Sequence, residues 1–250
     1  MFISKTKRTR KSNMKTLLSS VALAAVVAMP VMAEERSWQA TAELGGTMTT
    51  GNTETSTLKA KVDATHTLAE WNNNYYADIL YSEDAEKKTA SRWKLGAKGS
   101  YIIDETSSMF ILGEHEQDKF SDYDSVSSLA GGYSKRLFKT DTSLLDGDIG
   151  PGIKYFDVNG GDSEQVGIVH LGLSYENTLS ETSKFTQILV SDVALESDKS
   201  TLSRSETAIT ANILGELAMK VGLTIRHDNN ASEDKKSVDT ETTITLLYTF

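Results

Sequence analysis

The chain closes on "VDTETTITLLYTF", residues 238–250. In an extended strand successive side chains point to opposite faces. Val238, Thr240, Thr242, Ile244, Leu246, Tyr248 and Phe250 therefore share one face, and Asp239, Glu241, Thr243, Thr245, Leu247 and Thr249 share the other. Chain ends commonly fray, so an apolar-faced strand with an aromatic at the last position needs a reason to be held. A closed barrel supplies one. Its last strand must pair with its first, because an open edge in hydrocarbon leaves backbone N–H and C=O groups unsatisfied. The edge strand of a periplasmic protein would alternate in the same way, so the rest of the chain must decide.

The front of the chain is different in kind. Lys5, Lys7, Arg8, Arg10, Lys11 and Lys15 precede an apolar run over 17–32, with no acid before Glu34. Val31-Met32-Ala33 then offers a small residue for cleavage. This pattern predicts a secretory signal peptide over 1–33, cut after Ala33, with Met14 as a second candidate start. The run is too short for the roughly 20 residues of a spanning helix. Residues 34–250 are expected to form a single domain. Removing 1–33 takes six of the 26 Lys and Arg and none of the 35 Asp and Glu, so the remainder stands at net −15. That charge excludes a basic nucleic-acid footprint. There is no cysteine, so no disulfide framework supports the exported chain.

Period-2 alternation runs through all of 34–250, and Pro151 is the one proline there. It predicts twelve strands, at 38–49, 56–69, 75–82, 91–101, 108–115, 125–136, 144–156, 165–175, 184–195, 202–214, 218–228 and 237–250. Helix signals are nearly missing. The second strand sets Leu58, Ala60, Val62 and Ala64 against Lys59, Lys61 and Asp63. The eleventh sets Met219, Val221, Leu223 and Ile225 against Lys220, Thr224 and Arg226. The fifth and ninth, "MFILG" and "FTQILVSDVAL", are apolar on both faces.

Two features favour a membrane barrel over a soluble sandwich. The odd-numbered connections, such as "EHEQDKFSDYD" and "DNNASEDKKS", are polar and acidic, whereas most even ones are short; outer-membrane barrels pair long outer loops with short periplasmic turns. The aromatics also sort into two belts. Trp38, Trp71, Tyr75, Tyr76, Tyr101, Phe110, Tyr133, Phe138, Tyr175, Phe185, Tyr248 and Phe250 are placed at the periplasmic ends. Tyr81, Trp93, Phe120, Tyr123, Tyr155 and Phe156 are placed at the outer ends. Aromatic girdles mark both membrane interfaces. The expected fold is thus all-β, a transmembrane antiparallel up-and-down barrel of twelve strands. It would be monomeric, in contact with outer-membrane lipid and lipopolysaccharide, with Tyr248 and Phe250 as the signal read by the outer-membrane assembly machinery.

With apolar faces to lipid, the lumen receives Lys59, Lys61, Arg92, Lys94, Lys98, Arg136, Lys154, Arg204, Lys220 and Arg226. It also receives Glu43, Asp63, Asp78, Asp146, Asp148, Glu206, Asp239 and Glu241. Near balance favours a salt-bridged filling over the alternative, a narrow, slightly anion-leaning polar pore. The loops take most remaining acids, Glu114, Glu116 and Asp118 among them, without an EF-hand pattern. His66, His115, His170 and His227 lie on different strands with no metal-ligand spacing. His227 and Ser203 sit near an outer end without a nucleophile motif. Gly131-Gly132 and Gly150-Pro151-Gly152 lack the Lys-Ser/Thr of a phosphate loop and read as bends or tight contacts. No catalytic residue, metal site or cofactor is assigned.

"WQATAELGGTMTTGNTETSTLKAKVDATHTL" (38–68), "LAGGYSKRLF" (129–138) and "DGDIGPGIKY" (146–155) resemble the salt-induced outer-membrane protein family, also called domain-of-unknown-function family 481. The resemblance spans the exported chain. It implies an outer-membrane barrel with a link to osmotic stress and carries no catalytic residue over. The leading expectation is a non-enzymatic barrel with a structural or envelope-stress role, with or without slow passage of small solutes. A narrow, porin-like channel for small charged solutes is the alternative, and a barrel-embedded hydrolase the third.

Overall fold

The computed structural model describes residues 38–49, 55–84, 87–158, 160–232 and 236–250. The expected signal peptide, its cleavage at Ala33 and the alternative start at Met14 lie outside the described residues. Twelve strands follow one another: β1 (Trp38–Thr49), β2 (Thr55–Thr67), β3 (Trp71–Asp84), β4 (Lys87–Asp104), β5 (Ser107–Asp118), β6 (Tyr123–Lys139), β7 (Ser143–Val158), β8 (Glu164–Ser180), β9 (Ser183–Ala194), β10 (Leu202–Leu214), β11 (Leu217–Asp228) and β12 (Val238–Thr249). Each pairs antiparallel with its neighbours in sequence, and β12 returns to β1 to close the barrel.

The alternation read from the sequence becomes an inside and an outside. Every strand puts a large apolar side chain on the exposed wall: Leu44, Val62, Ile79, Leu95, Ile111, Leu129, Ile149, Leu171, Leu189, Ile209, Val221 and Ile244. A continuous apolar band of this kind is stable against hydrocarbon and would be costly in water. The turns at the end that holds Trp38 and Thr249 are short, at 68–70, 105–106, 140–142, 181–182 and 215–216. The opposite, loop end carries the longer connections, among them 195–201 and 229–237.

Several strands run further than the alternation indicated. β3 begins at Trp71 and reaches Asp84, β4 spans Lys87–Asp104, and β5 extends to Asp118. Charged stretches read as loops are strand here, because a polar lumen lets acids continue the inward face. Tyr76, Phe110 and Phe156 also leave the expected belts. They point inward, where Tyr76 meets Glu114 and Phe110 and Phe156 are buried. The Tyr123 ring lies tilted against Phe156, ring centroids 4.6 Å apart.

Pro151 breaks the β6–β7 ladder, which is recorded on either side at Ala130↔Gly152 and Tyr133↔Ile149. Proline has no N–H to give. The glycines opposite allow close approach: a Cβ on Gly132 would lie 2.1 Å from the Ile149 carbonyl oxygen.

Candidate functional site

The inward face is a lattice of ion pairs, and several of them join strands distant in order. Arg226 on β11 reaches Glu116 on β5, six strands round and thus on the opposite wall, with Nη1 3.1 Å from Oε1. Arg92 on β4 reaches Glu241 on β12, 2.5 Å away, and Lys59 on β2 meets the other oxygen of the same carboxylate at 2.8 Å. Lys59 also holds Asp78, 3.1 Å away. Lys98 on β4 reaches Asp148 on β7, and Ser134 donates to that carboxylate from β6. Lys220 on β11 binds Glu43 on β1 at 2.8 Å, and Thr245 donates to the second oxygen of Glu43.

A buried cluster lies on β7–β9. Asp192 accepts from Lys154 at 2.8 Å and bonds His170 Nδ1 at 2.7 Å, with all three side chains buried. The His170 ring lies edge-on to Phe110, 5.7 Å between centroids. Burying charges is tolerable only when each is paired and hydrogen-bonded, and this cluster meets that condition. Next to it Phe156, Val166 and Ile168 pack with Tyr123, Val126 and Leu202. The interior is therefore part salt bridge and part apolar.

One row explains an inward glycine. Tyr76, Gly96 and Glu114 are register partners on β3, β4 and β5. The Tyr76 ring lies across Gly96, so that a Cβ there would be 2.1 Å from Cζ. Its hydroxyl donates to Glu114, which Lys94 approaches at 2.6 Å.

The remaining sequence candidates are also on the inward face. Arg136 pairs with its neighbour Asp146 and Arg204 with Glu206 along one strand, both at 3.0 Å. Asp63 accepts from Asn74. Lys61 is register partner to both Glu43 and Asp78, yet those carboxylates are held by Lys220 and Lys59. Sequence reasoning missed Glu114, Glu116, Asp118, Asp192 and Tyr76. The regular spacing of Glu114, Glu116 and Asp118 was a usable signal of one strand face. Tyr248 and Phe250 are exposed on the outer wall, rings 4.9 Å apart, and the Phe250 N–H donates to the Ala40 carbonyl at 2.8 Å.

Toward the loop end the lumen widens into a vestibule of ≈ 260 Å³ lined by Lys94, Glu116, Lys154, Arg204, Arg226 and Asp239, among others. Among the described residues, Arg92 Nε and Arg226 Nε are buried without a hydrogen-bond partner. Among the described residues no group of three His, Cys, Asp or Glu could hold a metal ion. Ser203 and His227 are register partners, but Ser203 bonds Ser191 instead. His115 does bond Ser127, at 2.7 Å, but among the described residues no carboxylate bonds the ring to orient it.

The model of a family described as "Protein of unknown function, DUF481" matches residues 42–250. "Uncharacterized protein YdiY" of Escherichia coli (strain K12) is 22% identical over 202 residues, covering 79% of this chain and 77% of its own. Two solved barrels share the fold. The translocator domain of autotransporter NalP from Neisseria meningitidis aligns with a TM-score of 0.51 at 11% identity, over 94% of this chain and 96% of that one. The NanC porin aligns with a TM-score of 0.53 at 7% identity, over 83% and 98%. The architecture is thus that of outer-membrane barrels.

Proposed function

The chain belongs to the DUF481 family, and from that premise we propose that it is a monomeric outer-membrane barrel that braces the envelope, with small solutes passing slowly if they pass at all. In this reading the apolar band meets lipid, the acidic loops meet the lipopolysaccharide surface, and the Tyr248–Phe250 end is what the assembly machinery recognises. Export follows from a signal peptide cleaved after Ala33. The osmotic-stress link rests on the family resemblance alone.

The observation that carries the reading is the Arg226–Glu116 pair across the barrel. With Arg92–Glu241 it strings charged side chains across the space a solute would need. A pore for charged solutes would keep such groups hydrated and apart. Enzyme chemistry has little support, since a nucleophile needs a base that is itself oriented: among the described residues His115, which bonds Ser127, has no orienting carboxylate, and His170, which Asp192 orients, has no hydroxyl bonded to it.

Planar-bilayer recording of the purified protein tests this. Wild type should be close to silent, and Glu116→Ala should raise conductance. A large, stable, ion-selective conductance in wild type would overturn it in favour of the second reading, a narrow channel for small charged solutes, which the ≈ 260 Å³ vestibule favours.

A further inference from the structure

The barrel closes by half a seam. Among the described residues, β1 and β12 are in register from Thr41↔Thr249 to Gly45↔Thr245 and no further. Beyond that point both strands continue. β1 stays paired with β2 as far as Thr49↔Thr55, and β12 stays paired with β11 as far as His227↔Val238. Each is held by its other neighbour but not by the other. Edges left like this in hydrocarbon carry unsatisfied backbone groups, which is expensive without water or a partner.

The sequence of β12 changes at the same place. Where the ladder is formed, its outward residues are Leu246, Tyr248 and, just past its end, Phe250. Past Ile244, where the ladder is absent, Thr242 and Thr240 face outward. Hydroxyls on the outer wall suit a wetted slot better than contact with acyl chains. Behind the slot lies Glu241, which holds both Lys59 and Arg92 on one carboxylate. Arg92 is more than nine-tenths buried, and its Nε has no partner. Lys61 lies two residues from Lys59 on the same face. The vestibule reaches this wall at Asp239.

We propose that the open half of the β1–β12 seam is a lateral binding slot for an amphiphile with an anionic headgroup, carboxylate or phosphate. Its acyl chain stays in the surrounding leaflet. Its headgroup enters the slot and exchanges with the Glu241 carboxylate for Lys59 and Arg92. Guanidinium and ammonium groups bind such anions through charge-assisted hydrogen bonds, and Glu241 occupies that place in the unliganded chain. The slot opens sideways, so it is compatible with a lumen blocked along its axis. The proposal rests on the membrane-barrel reading above.

The chain has no cysteine, so single labels can be placed at will. Bimane is attached to Thr243→Cys (inward, at the slot), Ile244→Cys (outward) or Ser128→Cys (inward on β6, the opposite wall), in full-length protein in phosphatidylcholine vesicles. The quenchers are phosphatidylglycerol or phosphatidylcholine brominated near the headgroup end of the acyl chain, and a free fatty acid brominated likewise. Fluorescence at 243 should be lost with an anionic amphiphile and not with the zwitterionic one. Which anionic arm quenches tells a lipid from a free acid. Glu241→Gln should deepen the loss, position 244 should be quenched by all, and 128 by none. Quenching at 244 without quenching at 243 overturns the slot, as does equal quenching at 243 and 128. Equal effects of anionic and zwitterionic lipid at 243 overturn the headgroup chemistry. Failure at 244 would instead mean that the membrane-barrel reading had failed, and the slot with it.

Discussion

Arg226 and Glu116 meet across the full width of the barrel, and each side chain keeps 24% of its exposure. Removing one partner strands the other, and the Arg226 Nε is already without a bond. Glu116→Ala should lower stability by about 2 kcal/mol, less than the ~3–5 kcal/mol typical of fully buried pairs because water still reaches both groups. Replacing both, as Glu116→Leu with Arg226→Met, should recover most of the loss, since the desolvation cost disappears with the charges. Urea unfolding followed by heat-modifiable gel migration measures both. A double variant less stable than Glu116→Ala would show the pair to be worth more than its cost.

Asp146 and Asp148 should behave differently although they are neighbours on one face. Asp148 ties β4 to β7 through Lys98 and takes a second bond from Ser134. Among the described residues Asp146 pairs only with Arg136 on the adjacent strand, both about a third exposed. An exposed pair contributes roughly 0–1 kcal/mol. Asp148→Ala should therefore reduce thermal stability clearly, and Asp146→Ala hardly at all. Equal effects would mean that the Lys98 contact adds nothing.

The Tyr76–Gly96 contact predicts a size-specific response. Gly96→Val puts atoms where the Tyr76 ring lies, and overpacking of this sort costs about 1–3 kcal/mol. Tyr76→Ala in the same chain should restore much of it by vacating the space. Tyr76→Phe should keep the ring over Gly96 but lose the bond to Glu114, a smaller loss of about 1 kcal/mol. Thermal unfolding of the three variants orders them. Gly96→Val as stable as wild type would show that the ring swings away freely.

The barrel was legible because a strand with lipid on one side and a wet lumen on the other must alternate. Val62 against Lys61, or Val221 against Lys220, states the face directly. β5 hid its inward face because it is acidic at its loop end: Glu114, Glu116 and Asp118 look like a loop when a polar run is taken as the end of a strand. Asp192 hid for the opposite reason. Its inward companions Ile188 and Val190 are apolar, because the lumen near Phe156 and Val166 is itself apolar, so the face could not be told from the lipid side. Partner choice was beyond the sequence. Charge balance suggested pairing, but that Arg226 finds Glu116 rather than its register neighbour Asp239 depends on the curvature of the closed wall.

The last residue supplies the final test. The Phe250 N–H bonds to the Ala40 carbonyl and so extends a seam whose recorded ladder is already short, from Thr41↔Thr249 to Gly45↔Thr245. Its ring packs edge-on against Tyr248 on the outer wall. Losing Phe250 removes one of few closing bonds and half of that aromatic pair, at the end of the barrel where lipid begins. A charge there would be driven out of the interface, pulling the end of β12 from β1. Deletion of Phe250, or Phe250→Asp, should therefore reduce folded barrel in outer-membrane fractions, read by heat-modifiable migration, far more than an equal change at Asn229 in the loop between β11 and β12. Trp38→Ala, which alters an aromatic on the same rim but leaves the seam bonds in place, separates loss of closure from loss of girdle. If Trp38→Ala lowers barrel levels as much as the Phe250 deletion does, the terminal residue acts only as another interfacial aromatic, and the seam does not depend on it.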